Sequence, residues 1–153
     1  MHKFYFQAPC CSLILSFNEQ QQLQRISWQK DQHTAVLPQL TGIWEQRLNA
    51  YFAGELKDFN YPPSSAGTTF QQKVWQVISS IPYGQIASYG DIARVLNTSP
   101  RAVGQACGRN PLPIIIPCHR VVSAQGLGGF SLGTKDFELN IKRWLLNHEG
   151  ATW

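Results

Sequence analysis

Near the N-terminus, apolar and polar positions alternate in short runs. Ser12-Leu-Ile-Leu-Ser-Phe17 is apolar and partly alternating, Asn18-Glu-Gln-Gln21 is a polar turn, and Leu23 to Trp28 alternates again. A period of two puts successive side chains on opposite faces of a strand, so this stretch predicts a hairpin within a strand region reaching to about residue 37. The period then changes. Leu40, Ile43, Trp44, Leu48, Tyr51 and Phe52 recur at helical spacing, which predicts a helix from Leu37 to Phe52, stopped by Gly54. Tyr61-Pro-Pro-Ser-Ser-Ala-Gly67 has linker composition and marks a boundary between an N-terminal domain, 1–65, and a C-terminal domain, 66–153.

Beyond that boundary the pattern is helical. Thr68 with Gln71, or Thr69 with Gln72, has capping-box spacing, and Phe70, Val74, Val77, Ile78 and Ile81 follow one helix face until Pro82-Tyr-Gly84. Ser88-Tyr-Gly-Asp91 is a second capping box, opening a helix through Ile92, Val95 and Leu96. After the turn at Asn97-Thr98, Ser99-Pro100 gives an N-cap followed by proline at the first helical position. The next helix is expected to bury Val103, Ala106 and Cys107. Two short helices around a tight turn make a helix-turn-helix pattern, and a helical hairpin inside an ordinary core reads the same way. The outer face of the second helix carries Arg101, Gly104, Gln105 and Gly108. A glycine inside a helix costs about 1 kcal/mol, so two on one face make sense where another surface approaches the backbone closely. With Arg101 beside them, a nucleic-acid backbone is a candidate for that surface.

Composition changes this picture little. The chain has 153 residues, 43% of them apolar, enough for a packed core, and its net charge of +4 and pI near 9.0 lean weakly towards an anionic partner. Cys10, Cys11, Cys107 and Cys118 have neither disulfide-framework nor zinc-site spacing, so free thiols in a reducing, cytoplasmic setting are expected, with no metal and no cofactor. Neither a cleavable leader nor an apolar run of membrane-spanning length is evident.

The chemistry concentrates in Asn110-Pro-Leu-Pro-Ile-Ile-Ile-Pro-Cys-His-Arg-Val-Val122. Three isoleucines between prolines predict a buried extended segment that ends at Cys118, followed by His119 and Arg120. A nucleophilic cysteine needs its thiolate stabilised, which histidine or positive charge nearby supplies, whereas a cysteine without such a setting is a small core hydrophobe. In the last helix Ile141, Trp144, Leu145 and His148 predict a buried stripe with Glu149 at its edge, either solvated or paired. Cys118, His119 and Glu149 have the types of an orienting chain for a nucleophile. In extended backbone adjacent side chains diverge, so a bridging water between Cys118 and His119 is expected rather than contact. On these residues alone a thiol hydrolase stays open.

Pro117-Cys-His-Arg-Val121 resembles the active-site motif of the O6-alkylguanine-DNA alkyltransferases (methylated-DNA–protein-cysteine methyltransferases). The resemblance extends through Tyr51-Phe-Ala-Gly54, Gly67-Thr-Thr-Phe-Gln71, Val74-Trp75, Ile81-Pro-Tyr-Gly84, Ser88-Tyr-Gly90, Arg101-Ala-Val-Gly104, Asn110-Pro111 and Leu145-Leu-Asn-His-Glu149. It implies an α/β (α+β) chain: a small ribonuclease-H-like N-terminal domain, and a mainly helical C-terminal domain whose helix-turn-helix enters the minor groove of double-stranded DNA. Arg101 would fill the gap left by an extruded base and Tyr89 would help rotate the nucleotide, with Ser88, Gly104, Gln105 and Gly108 on the DNA-binding surface. Cys118 would take the alkyl group once and permanently, His119 and Glu149 holding it deprotonated through water. Tyr89 would protonate the leaving guanine, and Asn110 would tie the recognition helix to the active-site strand. Ser131 would bond the lesion oxygen in a pocket walled by Phe130 and Val121. A monomer acting without metal or membrane is implied.

The departures cluster after Gly128. Phe130 stands where the family often has tyrosine, Leu132 where it has glycine, and the stretch from Ser131 to Lys142 is longer than the common pattern. Methyl is therefore expected to be accepted better than benzyl. Activity on O4-alkylthymine is left open. The rival readings are a non-repairing sensor of alkylated DNA, in which tryptophan replaces the cysteine, and a helix-turn-helix regulator, which gives no reason for the Cys118 motif.

Overall fold

Strands β1 (His2–Gln7), β2 (Ser12–Phe17) and β3 (Leu23–Gln29) form an antiparallel sheet in the order β1-β2-β3, followed by helix α1 (Ile43–Phe52). The computed structural model describes residues 1–29, 36–61, 66–130 and 136–151. The chain divides into two compact units, Met1–Asn60 and Tyr61–Trp153.

The predicted hairpin is present. Asn18 closes it by accepting the backbone N–H groups of Gln20 and Gln22 on Oδ1, at 3.0 and 2.9 Å, while Gln21 turns the chain with φ 61°. β2 is the central strand, so Leu13 and Leu15 are fully buried and even Ser12 and Ser16 on the opposite face lose water. Leu48 and Tyr51 of α1 are likewise fully buried, and Phe52 stacks on Phe6 of β1. α1 is shorter than predicted. Pro38 and Leu40 instead bond Tyr5 at the edge of β1, Pro38 O accepting from Tyr5 N and Leu40 N donating to Tyr5 O, and Gly42 at φ 87° turns the chain into the helix. Apolar spacing continued across this edge contact because both the edge and the helix bury side chains. The expected strand continuation at 30–35 lies outside the described residues.

The C-terminal unit contains α2 (Thr69–Ser79), β4 (Ala87–Ser88), α3 (Tyr89–Leu96), α4 (Pro100–Gly108), a 3-10 turn (Cys118–Arg120), β5 (Val121–Val122) and α5 (Asp136–His148). Both capping boxes form. Thr68 and Gln71 exchange bonds at the start of α2, and Ser88 and Asp91 do so at the start of α3. Asn97, left-handed at φ 53°, ends α3, and Ser99 caps α4 with Pro100 behind it. Val103, Ala106 and Cys107 are buried as predicted, whereas Phe70 and Val95 face solvent. Trp75, outside the predicted stripe of α2, is 1% exposed and donates its indole N–H to Ala106 O at 2.9 Å, which ties α2 to α4.

Two further expectations fail. Residues 111–116 are not an extended segment. Ile114 is left-handed at φ 74°, and the segment folds into tight turns closed by Ile116 N to Leu112 O at 2.8 Å. The prolines that argued against helix also permit turns, and the buried side chains of Ile114 and Ile116 offset the roughly 1–3 kcal/mol that such a backbone costs. In α5 the buried stripe is Ile141, Lys142, Leu145 and Leu146, while Trp144 and His148 are half-buried and stack on each other. Among the described residues no helix is long and apolar enough to cross a membrane.

Trp75→Phe, which removes the buried donor and part of the ring, is expected to destabilise the protein by roughly 1–3 kcal/mol. The shift of the urea midpoint measures it.

Candidate active site around Cys118

Helix α4 runs out at Gly108, and Asn110 begins the loop that carries Cys118. Its backbone N–H bonds Cys107 O at 3.2 Å and its side-chain oxygen accepts Leu112 N at 2.9 Å. The amide nitrogen donates to Ile116 O at 2.8 Å and to Cys118 Sγ at 3.1 Å. One side chain thus fixes both ends of the loop and presents an N–H to the sulfur. Cys118 is 4% exposed, and the cysteines are free thiols. Burial, the neighbouring Cys107 thiol and its charge raise the Cys118 pKa well above the ordinary value, against smaller opposing effects of Asn110 and Lys142. The resemblance implies a thiol held deprotonated. The buried setting favours a resting thiol that ionises only when a base takes its proton.

In the 3-10 turn His119 and Arg120 are buried, and both meet Glu149 beyond the end of α5. His119 Nε2 lies 2.8 Å from Glu149 Oε2. Arg120 donates from Nε to Oε1 at 2.7 Å and from Nη2 to Oε2 at 3.0 Å, and its Nη1 bonds Ile81 O at 2.7 Å. The Glu149 side chain is fully buried, which decides between the solvated and paired alternatives. Burial acts to raise its carboxyl pKa, but the His119 N–H and the Arg120 guanidinium outweigh that and hold it well below the usual range. Burial keeps His119 neutral against the pull of Glu149. With its Nε2 proton directed at the carboxylate, Nδ1 is the basic nitrogen, and it is buried without a hydrogen-bond partner.

Tyr89 reaches the same region through a short parallel ladder. β4 pairs with β5, Ala87 with Val121 and Ser88 with Val122, so the first residue of α3 stands beside the strand that follows Cys118. Its hydroxyl donates to Gly129 O at 3.3 Å, and its pKa is raised by burial first, then by Cys107 and Cys118. Gly128 makes this possible: a Cβ there would lie 2.9 Å from the Tyr89 ring, and φ is 76°. Lys142 completes the group. Its side chain is fully buried and Nζ donates to Val121 O at 2.7 Å, Gly129 O at 2.9 Å and the Tyr89 hydroxyl at 3.5 Å.

Of the residues singled out in the sequence, the structure brings together Cys118, His119, Glu149, Asn110, Tyr89 and Val121, with Phe130 buried after Gly129. The Ser88 hydroxyl is engaged in capping α3. Arg101 and Gln105 are exposed on the outer face of α4, with Gly104 and Gly108 half-buried beside them. Ser131 and Leu132, with the rest of the start of the long stretch from Ser131 to Lys142 (131–135), lie outside the described residues. Arg120 and Lys142 were missed. Arg120 lay inside the motif, and Lys142 falls within the apolar stripe, three and four residues before Leu145 and Leu146. No group of three or more metal-ligating side chains occurs among the described residues. A cavity of about 440 Å³ in the N-terminal unit, between His2, Phe4, Leu40 and Trp44, contains no thiol.

A cysteine backed by an amide donor, and followed in sequence by an imidazole joined to a buried carboxylate, has the residue types of a thiol nucleophile's setting. Residues 69–151 match the family model described as 6-O-methylguanine DNA methyltransferase, DNA binding domain. The chain is 45% identical over 109 residues to the methylated-DNA–protein-cysteine methyltransferase of Archaeoglobus fulgidus, covering 71% of this chain and 74% of that one. It is 37% identical over 161 residues to that of Methanosarcina acetivorans, with 99% of each chain covered. The crystal structure of Mycobacterium tuberculosis OGT in complex with DNA superposes with a TM-score of 0.80 at 35% identity, covering 97% of this chain and 93% of that one. The chain belongs to the methylated-DNA–protein-cysteine methyltransferase family.

Glu149→Gln removes the carboxylate that offsets Arg120, and breaking a buried pair costs roughly 3–5 kcal/mol. Because the folded carboxyl pKa is depressed, its contribution is complete above the ordinary value of 4.5 and is lost as pH falls below it. The variant is expected to be less stable at neutral pH, and its loss of stability on acidification to be shallower than the wild type's. Melting temperatures across that range check both.

Proposed function

We propose that the chain repairs DNA by direct, irreversible transfer of the alkyl group from O6-alkylguanine, chiefly O6-methylguanine, to Cys118, one turnover per molecule. The observation that carries this reading is the buried sulfur with Asn110 N–H at 3.1 Å, close in sequence to a neutral, Glu149-oriented His119 whose Nδ1 is unsatisfied. Through one water, Nδ1 takes the thiol proton, and Glu149 stabilises the imidazolium. The thiolate attacks the alkyl carbon, the bond from that carbon to O6 breaks, and guanine leaves as an anion that receives the Tyr89 proton. A thioether and neutral guanine result. No reductant restores the thiol, so the protein is consumed.

The partner is double-stranded DNA. α3 and α4 act as a helix-turn-helix whose second helix lies in the minor groove, as in a base-flipping protein that accepts an unstacking cost of a few kcal/mol. Gly104 supports this: a Cβ there would meet nothing in the protein nearer than Tyr89, at 4.0 Å, so internal packing does not demand glycine, whereas a close external surface does. Arg101 fills the vacated position in the duplex, Tyr89 turns the nucleotide towards Cys118, and Ser88, Gln105 and Gly108 border the bound strand. Phe130 and Val121 wall the base pocket and Ser131 bonds the lesion oxygen. The N-terminal sheet and α1 serve as a ribonuclease-H-like support, and the protein works as a cytoplasmic monomer.

Intact-mass spectrometry after incubation with a duplex carrying one O6-methylguanine tests the reading. One methyl per chain is expected, mapped to Cys118 and absent from Cys118→Ala. Lesion binding without any mass gain would point instead to a sensor of damage, and continued turnover to a hydrolase. The methylated protein is expected to melt at a lower temperature than the free one. The added methyl enters a packed site, at a cost of roughly 1–3 kcal/mol. An unchanged or raised melting temperature contradicts this.

A further inference from the structure

Cys10 and Cys11 lie in the turn between β1 and β2 and take no part in the transfer scheme above. The Ala8 N–H donates to Cys11 O at 2.9 Å, closing the turn through Pro9. Below it Gln7 pairs with Ser12 in the ladder, and the Ser12 hydroxyl donates to Gln7 Oε1 at 2.8 Å. The dipeptide is therefore held on both sides. In extended backbone adjacent side chains diverge, yet here the two sulfurs are 3.3 Å apart and in hydrogen-bond contact. Both residues are half-buried and both thiols are free. The contact polarises the pair. The Cys11 S–H lowers the Cys10 pKa, and Cys11, whose proton is held between the sulfurs, is raised.

The span between the sulfurs selects what can join them. A direct disulfide fits poorly. Disulfides close between Cα atoms about 4.4–6.8 Å apart, and neighbouring Cα atoms across a trans peptide are only about 3.8 Å apart. Such a bond is strained and easily reduced. Zinc fits poorly too, because its structural sites take four ligands and no group of three or more metal-ligating side chains occurs among the described residues. A linear two-coordinate ion, with thiolate bonds of about 2.3 Å, needs its sulfurs about 4.6 Å apart. With the same bond length, one atom bridging the observed 3.3 Å has an S–X–S angle of roughly 90°. A pyramidal three-coordinate centre has bonds close to perpendicular, and trivalent arsenic is a thiol-seeking centre of that shape.

We propose that Cys10 and Cys11 form a chelating site for trivalent arsenic, separate from the alkyl-accepting thiol. The inference does not depend on the repair reading, since the pair belongs to the unit Met1–Asn60 and Cys118 to Tyr61–Trp153. Capture is a condensation without redox change. Each thiol gives its proton to a hydroxyl on arsenic, two S–As bonds form, two As–O bonds break and two waters leave. Arsenic stays trivalent and keeps its third substituent. Once the first bond has formed the second is intramolecular, so the pair holds arsenic more tightly than a single thiol by a factor of roughly 10²–10⁴. A monothiol competitor has no such advantage.

The full chain is incubated with one equivalent of phenylarsine oxide in excess glutathione, and intact-mass spectrometry with peptide mapping follows the label. The wild type is expected to keep one phenylarsenic group per chain, on the peptide that carries Cys10 and Cys11, until a small dithiol removes it. Cys10→Ser and Cys11→Ser are each expected to lose it at a glutathione concentration roughly a hundredfold lower or more. Label retained at Cys107 or Cys118 instead overturns the proposal. So does undiminished retention by either serine variant, because one sulfur would then suffice. A wild-type pair that forms a disulfide in the glutathione buffer and takes no arsenical overturns it as well. The position of the label on the wild type decides the matter even if a serine variant fails to fold. Methyl transfer to Cys118, measured in parallel, tests the repair reading alone.

Discussion

The carboxylate of Glu149 holds the site together. It lies just past the end of α5, fully buried, and receives three hydrogen bonds from two consecutive residues of the turn that begins at Cys118. An isolated carboxylate in such a place would be protonated or expelled, and an unpaired Arg120 guanidinium would be driven out to solvent. Each is stable only because the other is present, and their pairing fixes the last helix against the Cys118 turn. It also orients the imidazole between them, leaving Nδ1 as the nitrogen available to take a proton.

A second constraint is geometric. Two parallel pairs between β4 and β5 join the start of α3 to the residues after Cys118. The capping box of Ser88 and Asp91 fixes where that helix begins, so Tyr89 is delivered to the site by a ladder and a cap together. Its ring fills the space that a side chain at Gly128 would need. Asn110 performs the same service from the other side, linking the end of α4 to the sulfur through the turns at 112–116. The residues around Cys118 are thus fixed from separate stretches of chain: Asn110 bonds the sulfur itself, Tyr89 is set by the β4–β5 ladder, and Glu149 holds the two residues that follow.

Much of this was legible in the sequence where the determining forces are local. The hairpin at 12–28, both capping boxes, the Asn97 turn and the Ser99-Pro100 start of α4 each depend on residues only a few positions apart, and each appears where expected. The start of α1 was misplaced because Pro38 and Leu40 bond to Tyr5, more than thirty residues earlier, and no local pattern reports that contact. The segment at 111–116 was misread because proline and isoleucine exclude a helix without choosing between a strand and a set of buried turns.

The sequence by itself determined the types and order of the reactive residues, the helix boundaries set by caps, and the family resemblance carried by the motif around Cys118. Only the tertiary structure decided which charges are buried and against what. Lys142 carries no sign in the sequence of the burial it has in α5, and Glu149 reads equally as a surface carboxylate until His119 and Arg120 meet it. The physical reason is that a charge's environment is set by groups distant in sequence. Arg120 and Glu149 are twenty-nine positions apart and Lys142 and Tyr89 fifty-three, and the free energy of burying any of them depends on partners that only the fold assembles.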